Sequence, residues 1–76
     1  MTLNEFVDCF AAELDETPKE LFNAETVYRD LDEWDSLTNL SLMAMVDSDY
    51  NVKLNSDEVT NSDTLLDLFN LIKSKQ

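Results

Sequence analysis

The chain contains no glycine, and Pro18 is its single proline. Glycine supplies the positive-φ positions that hairpin turns need. A chain without it is poorly suited to hairpins and tight loops, and its sequence points to helices. Seventy-six residues make one domain, residues 1–76. A chain of this size buries only about 60% of the surface it exposes when unfolded, so its core is marginal and leaves little room for a deep catalytic cavity.

Charge narrows the function classes. Seventeen Asp and Glu stand against five Lys and Arg, with no His, for a net charge of −12. Such a surface repels nucleic-acid phosphates and anionic membranes and attracts basic patches or cations. Solubility alone would also account for it. Hydrophobic residues make up 43% of the chain, too many for a disordered acidic tail. Cys9 is the only cysteine. It has no internal disulfide partner and no His with which to form a catalytic dyad. A secreted domain this small usually carries disulfides, so a cytoplasmic chain is expected; a monomer is expected as well. No apolar run approaches the length of a signal-peptide core or a membrane span.

Periodicity divides the chain. Thr2-Leu3-Asn4-Glu5 has the form of a capping box, and Leu3, Phe6, Val7, Phe10, Ala11 and Leu14 then recur at helical spacing. From Asp15 to Asp35 no long periodic segment appears. Thr17-Pro18-Lys19-Glu20 reads as a second capping box that opens about one turn, ending near Phe22. Leu21, Val27, Tyr28 and Leu31 are spaced as anchors for the rest of this loop. A connection this long with so little structure is uncommon in a compact domain and often functional.

The helix expected after Ser36 is the informative one. At 100° per residue, Asn39, Leu42, Met43, Val46 and Tyr50 share one face, the expected core face. The opposite side carries Leu37, Ser41, Ala44 and Ser48, flanked by Leu40 and Met45. A helix apolar on both sides is buried twice, under the preceding loop for instance, or meets a partner. Further on, Asn55 or Ser56 caps a short helix, and Thr64 or Asp63 caps a last one with the stripe Leu65, Leu68, Phe69 and Ile72. The expected fold is all-α: a small four-helix bundle of three main helices and one short third helix, with a long structured first loop.

No metal site with nitrogen or sulfur ligands, His-based dyad or glycine-rich phosphate loop is available. The stretch from Asp47 to Glu58 has the acid spacing of an EF-hand calcium loop, with Asp47, Asp49, Asn51, Asn55 and Glu58 as ligands. Its sixth position is Val52, where such a loop needs Gly, and Tyr50 continues the helical stripe through its first half.

Asp35-Ser36-Leu37, at the head of the second long helix and after a long irregular loop in a small acidic chain, resembles the acyl carrier protein family. The likeness runs from Leu3 to Ile72. It includes the apolar run Leu40 to Val46, Tyr50, the link Asn51-Val52-Lys53-Leu54 and the short third helix. What the resemblance implies is a non-enzymatic carrier. A magnesium-dependent phosphopantetheinyl transferase would attach 4′-phosphopantetheine from coenzyme A to Ser36, and the terminal thiol would hold acyl groups as thioesters. Acyl-loading and acyl-transfer enzymes with basic and apolar docking patches would meet Asp35, Leu37, Leu40, Ala44, Met45 and Asp47. Leu42, Met43, Val46, Leu54, Val59, Leu68 and Ile72 would line a space for the acyl chain, or form an ordinary closed core.

The chain departs from the family pattern in two places. Thr38, Ser41 and Ser48 stand where many members have acids, which implies docking that is less sensitive to salt and a carrier dedicated to few clients. Glu33-Trp34 replaces a glycine that many members have shortly before the Asp, which alters the local loop, and Trp34 is expected to be a loop anchor or part of the partner surface. The rival readings are an aminoacyl carrier of the D-alanine type, a peptidyl carrier, an EF-hand-like calcium binder and a plain helical interaction module.

Overall fold

The computed structural model describes residues 2–76. About 65% of the chain is helical, and no strand occurs among the described residues. The α-helices are α1 (Leu3–Glu13), α2 (Ser36–Tyr50), α3 (Ser56–Asn61) and α4 (Leu65–Lys75). Two 3-10 turns, Lys19–Leu21 and Tyr28–Asp30, interrupt the connection between α1 and α2. Among the described residues no helix is long and apolar enough to cross a membrane.

Side-chain caps set the helix starts. The Thr2 hydroxyl accepts from the Glu5 N–H at 3.2 Å and opens α1. Asn55 opens α3 and Thr64 opens α4, each in a reciprocal capping box, with Glu58 and Asp67 respectively. Lys75 in the last turn of α4 pairs with Glu58 of α3 at 2.6 Å and ties the two short elements together.

One apolar core lies between the elements. From α1 it takes Phe6, Phe10 and Ala11, with Leu14 just beyond the helix. From α4 it takes Leu65, Leu68, Phe69 and Ile72, the stripe expected there. α1 packs on both α2 and α4. Phe10 is the hub of an aromatic cluster, with ring centroids 6.0 Å from Phe22, 5.6 Å from Tyr28 and 6.1 Å from Trp34. Aromatic pairs at such distances contribute about 0.5–1.5 kcal/mol each beyond their area burial. Rings contributed by the loop itself therefore hold a connection with little regular structure.

That connection differs from the sequence expectation in two respects. Its anchors are Phe22 and Tyr28, with Leu31 half-buried, whereas Leu21 and Val27 are exposed. The second capping box does not form: Pro18 occupies the cap position of the first 3-10 turn without a side-chain hydrogen bond. The Thr17 hydroxyl donates instead to Glu33 Oε1 at 2.8 Å, and the Glu16 N–H donates to the same oxygen at 3.1 Å. One carboxylate thus closes the loop by joining its beginning to its end. The loop backbone also serves α4, since the carbonyls of Thr26 and Ala24 accept from the N–H groups of Leu65 and Leu66 at 3.1 and 2.9 Å. Those donors have no intrahelical partner at a helix start.

The second 3-10 turn clamps α3. The buried Tyr28 hydroxyl donates to the carbonyls of Val59 and Ser62. Arg29 donates from Nε to the Ser62 carbonyl at 3.3 Å and pairs with Asp63 at 2.7 Å. Burial pushes the Tyr28 phenol up to about 12.

The core face of α2 is turned from its expected direction. Leu42 and Val46 are buried as expected, but the third buried residue is Met45, while Asn39, Met43 and Tyr50 are half-buried. At 100° per residue, the centre of the buried face moves by roughly 60° toward Met45. Met45, expected on the outward docking face, is therefore a core residue at 7% exposure.

Candidate functional site

Asp35 and Ser36 divide the work at the head of α2. Asp35 is the cap: its backbone is extended, and Oδ1 accepts from the Thr38 N–H at 2.8 Å. That bond holds the Asp35 carboxyl below the usual carboxylate range. Ser36 is the first helical residue and is exposed. With capping assigned to Asp35, no described residue hydrogen-bonds the Ser36 hydroxyl.

The residues before it fix its position. Trp34 stacks on Phe10 at an interplanar angle of 4° and tilts against Tyr28 with centroids 5.1 Å apart. It is a loop anchor. The carbonyl of Glu33, whose side chain closes the loop, accepts from the Thr38 hydroxyl at 3.2 Å. The turn into α2 is thus held from both sides without a glycine.

From Ser36 an outward face runs along α2. Leu37 is 72% and Leu40 58% exposed, and Ala44 is exposed beyond them. Asp35 and Asp47 are exposed at the two ends of this face. Five of the six residues singled out for docking therefore share one accessible surface, and Met45 leaves it. The loop does not cover this stripe.

The residues expected around an acyl chain separate into two groups. Leu42, Val46, Val59, Leu68 and Ile72 are fully buried in the common core. Met43 and Leu54 are half-buried and line an open groove of about 310 Å³ with Leu40, Ala44, Asp47 and Lys53. The stretch from Asp47 to Glu58 does not form the loop of an EF-hand. α2 runs through Tyr50, and Asn51 ends it in the left-handed region at φ 56°. Val52 is buried at 4% exposure, and Asn55 and Glu58 bond each other in the α3 cap.

A second groove, of about 320 Å³, lies directly beside Ser36. Arg29 and Trp34 of the loop, the cap Asp35, Ser36 and Asn39 of α2, and Val59 and Thr60 of α3 line it. Sequence reasoning did not find this groove, because Val59 and Thr60 reach it from a segment well beyond α2 in the chain. The nearest signal was Arg29, one of only five basic residues. Asn39 was placed on the core face, and its Oδ1 is indeed buried, but no donor among the described residues reaches that oxygen.

Compared with protein-family models, curated proteins and solved structures, the chain matches none.

Proposed function

We propose that this chain is an acyl carrier: a four-helix bundle, without catalytic activity of its own, that bears 4′-phosphopantetheine on Ser36 and presents thioester-bound acyl groups to partner enzymes. The observation that carries this reading is the division of roles at the head of α2. The Ser36 hydroxyl is exposed and not used as a cap, and the uncovered stripe Leu37, Leu40 and Ala44 leads away from it. The family resemblance of Asp35-Ser36-Leu37 in this architecture supplies the chemistry.

The residues present suit the group. A phosphodiester on the Ser36 oxygen would sit at the start of a 15-residue helix, where free N–H groups and the positive end of the dipole favour an anion. The adjoining groove brings in the Arg29 guanidinium. When bound, the arm supplies a thiol that holds the acyl group as a thioester. In loading, the Ser36 oxygen bonds to the phosphorus that carries the pantetheine arm of coenzyme A. The diphosphate bond breaks, adenosine bisphosphate leaves, and the hydroxyl proton passes to a base of the transferase. The chain itself holds Ser36 in place and offers a surface for docking.

That surface is apolar with few acids, so clients should be held largely by burial of Leu37, Leu40 and Ala44. Such docking suits a dedicated carrier better than one that serves a general fatty-acid synthase. The test is intact-mass spectrometry after incubation with coenzyme A, magnesium and a broad phosphopantetheinyl transferase. The expected result is a gain of one phosphopantetheinyl group, absent in Ser36→Ala. No gain with any transferase would leave a helical interaction module.

A further inference from the structure

We propose that the long loop carries a docking surface of its own, a groove built around the exposed Leu21 that takes a cationic segment of a partner protein with an apolar side chain between its basic residues. This surface is separate from the stripe on α2 and does not depend on Ser36.

The closure of the loop makes the groove. Glu33 Oε1 accepts from the Thr17 hydroxyl and the Glu16 N–H, so the start of the loop lies against its end. The two stretches enclose an open space of about 330 Å³, to which Pro18, Leu21 and Leu31 give apolar walls. Leu21 is 52% exposed although its backbone is held from both sides. Its N–H donates to the Pro18 carbonyl at 3.0 Å, and its carbonyl accepts from the Thr26 hydroxyl at 2.8 Å. The next residue, Phe22, is buried against Phe10. The loop is thus fixed in a form that leaves the Leu21 side chain in water.

The rest of the lining is acidic. Glu16, Asp30, Asp32 and Glu33 line the groove with Thr17, and no basic residue does. No Lys or Arg pairs with any of these four carboxylates among the described residues. The two bases adjacent to the groove in sequence are engaged elsewhere: Lys19 pairs with Asp8 at 3.5 Å, and Arg29 with Asp63 at 2.7 Å. Glu16 also lies just past the end of α1, whose last turn carries no base. A helix dipole favours cations there and opposes an acid. The groove is therefore a site of uncompensated negative charge around an apolar centre.

That combination selects the occupant. Nucleic acid and anionic membranes carry the groove's own sign of charge, and so does a second copy of this chain, at a net −12. A metal ion or a polyamine would answer the acids and gain nothing from Leu21. A segment with Lys or Arg on either side of an apolar residue uses both.

Short amidated peptides are the probes, followed by backbone amide shifts in NMR titrations. One has lysines around a leucine, one has serine in place of the leucine, and one has glutamates in place of the lysines; spermine is the polyamine control. The leucine peptide should give saturable shifts centred on Leu21, Leu31 and Asp32, and larger there than on Leu37, Leu40 and Ala44. The serine peptide and spermine should bind roughly tenfold more weakly, and the glutamate peptide should not bind. Binding should weaken from low to high salt. Leu21→Ser should weaken the leucine peptide about tenfold while leaving the affinity for the serine peptide and the melting temperature unchanged. Asp30→Asn combined with Asp32→Asn should weaken both peptides yet raise the melting temperature at low salt, because like charges are removed; a fall would mark these acids as structural and overturn the proposal. Ser36→Ala should bind as wild type does. Shifts spread evenly over the acidic surface, equal affinity for the leucine and serine peptides, or full binding by Leu21→Ser would also overturn the docking surface, and none of these results bears on the loading of Ser36.

Discussion

Tyr28→Phe removes a single oxygen and leaves the aromatic cluster its ring. The phenol is fully buried and donates to the carbonyls of Val59 and Ser62. These carbonyls lie at the C-terminal end of α3, where a helix has no intrahelical donors left. Ser62 keeps the Arg29 Nε–H, but no other donor to Val59 is present among the described residues. Losing a hydrogen bond and leaving a buried acceptor unsatisfied costs about 1–3 kcal/mol, and about 2 is expected here. In a domain of this size that lowers Tm by roughly 8–16 °C.

Urea unfolding followed by circular dichroism should show an earlier midpoint with an unchanged slope. The pH dependence is a second check. The folded phenol titrates at about 12 against an ordinary 10.0, so the Tyr28 contribution is fully present below pH 10 and is lost as pH rises toward 12. The gap between wild type and variant should therefore close over that range. A loss of less than about 0.5 kcal/mol, the level of an ordinary surface substitution, would refute the clamp on α3.

Other outcomes follow from the same geometry. Met45→Ala should cost about 2–5 kcal/mol in urea unfolding, as Leu42→Ala should, because both side chains are buried. Leu37→Ala and Leu40→Ala should change stability by less than about 0.5 kcal/mol while lowering kcat/KM of the transferase for the carrier. Asp35 is stabilising as a carboxylate, since its folded pKa is depressed, so its contribution is present at neutral pH and is lost as pH falls through the folded value. Asp35→Ala should therefore lose less stability than wild type on acidification, read as urea midpoints at neutral pH and at about pH 3. Loading rates measured over a range of salt should fall only weakly, given two acids on the docking face, and a steep fall would contradict apolar docking.

What was legible in the sequence was local. The capping residue Thr2, a few positions from the donor it serves, could be read directly, the caps of α3 and α4 could be narrowed to Asn55 or Ser56 and to Thr64 or Asp63, and the one-sided stripes of α1 and α4 were plain. What was hidden depended on partners distant in sequence. Thr17 has the right neighbours for a capping box, yet Glu33, 16 positions on, takes its hydroxyl. Phe22 and Leu21 are adjacent and both apolar, and only the position of the Phe10 ring decides which is buried. α2 is ambiguous for a different reason. Apolar residues lie all around it, so helical spacing alone does not fix its rotation, and a turn of roughly 60° brings Met45 into the core face and moves Met43 to its margin. At the site, Ser36 and the docking stripe came from one contiguous segment. The groove needed Arg29, Asn39 and Val59 to be brought together by the fold.

The most direct measurement of the central claim is fragmentation mass spectrometry of the protein after transferase treatment, with every hydroxyl along α2 eligible. A phosphopantetheinyl group found on Ser36, and on none of Thr38, Ser41 or Ser48, is the result expected of an exposed residue freed from capping by Asp35. The group on another of these hydroxyls, or on none, would contradict it.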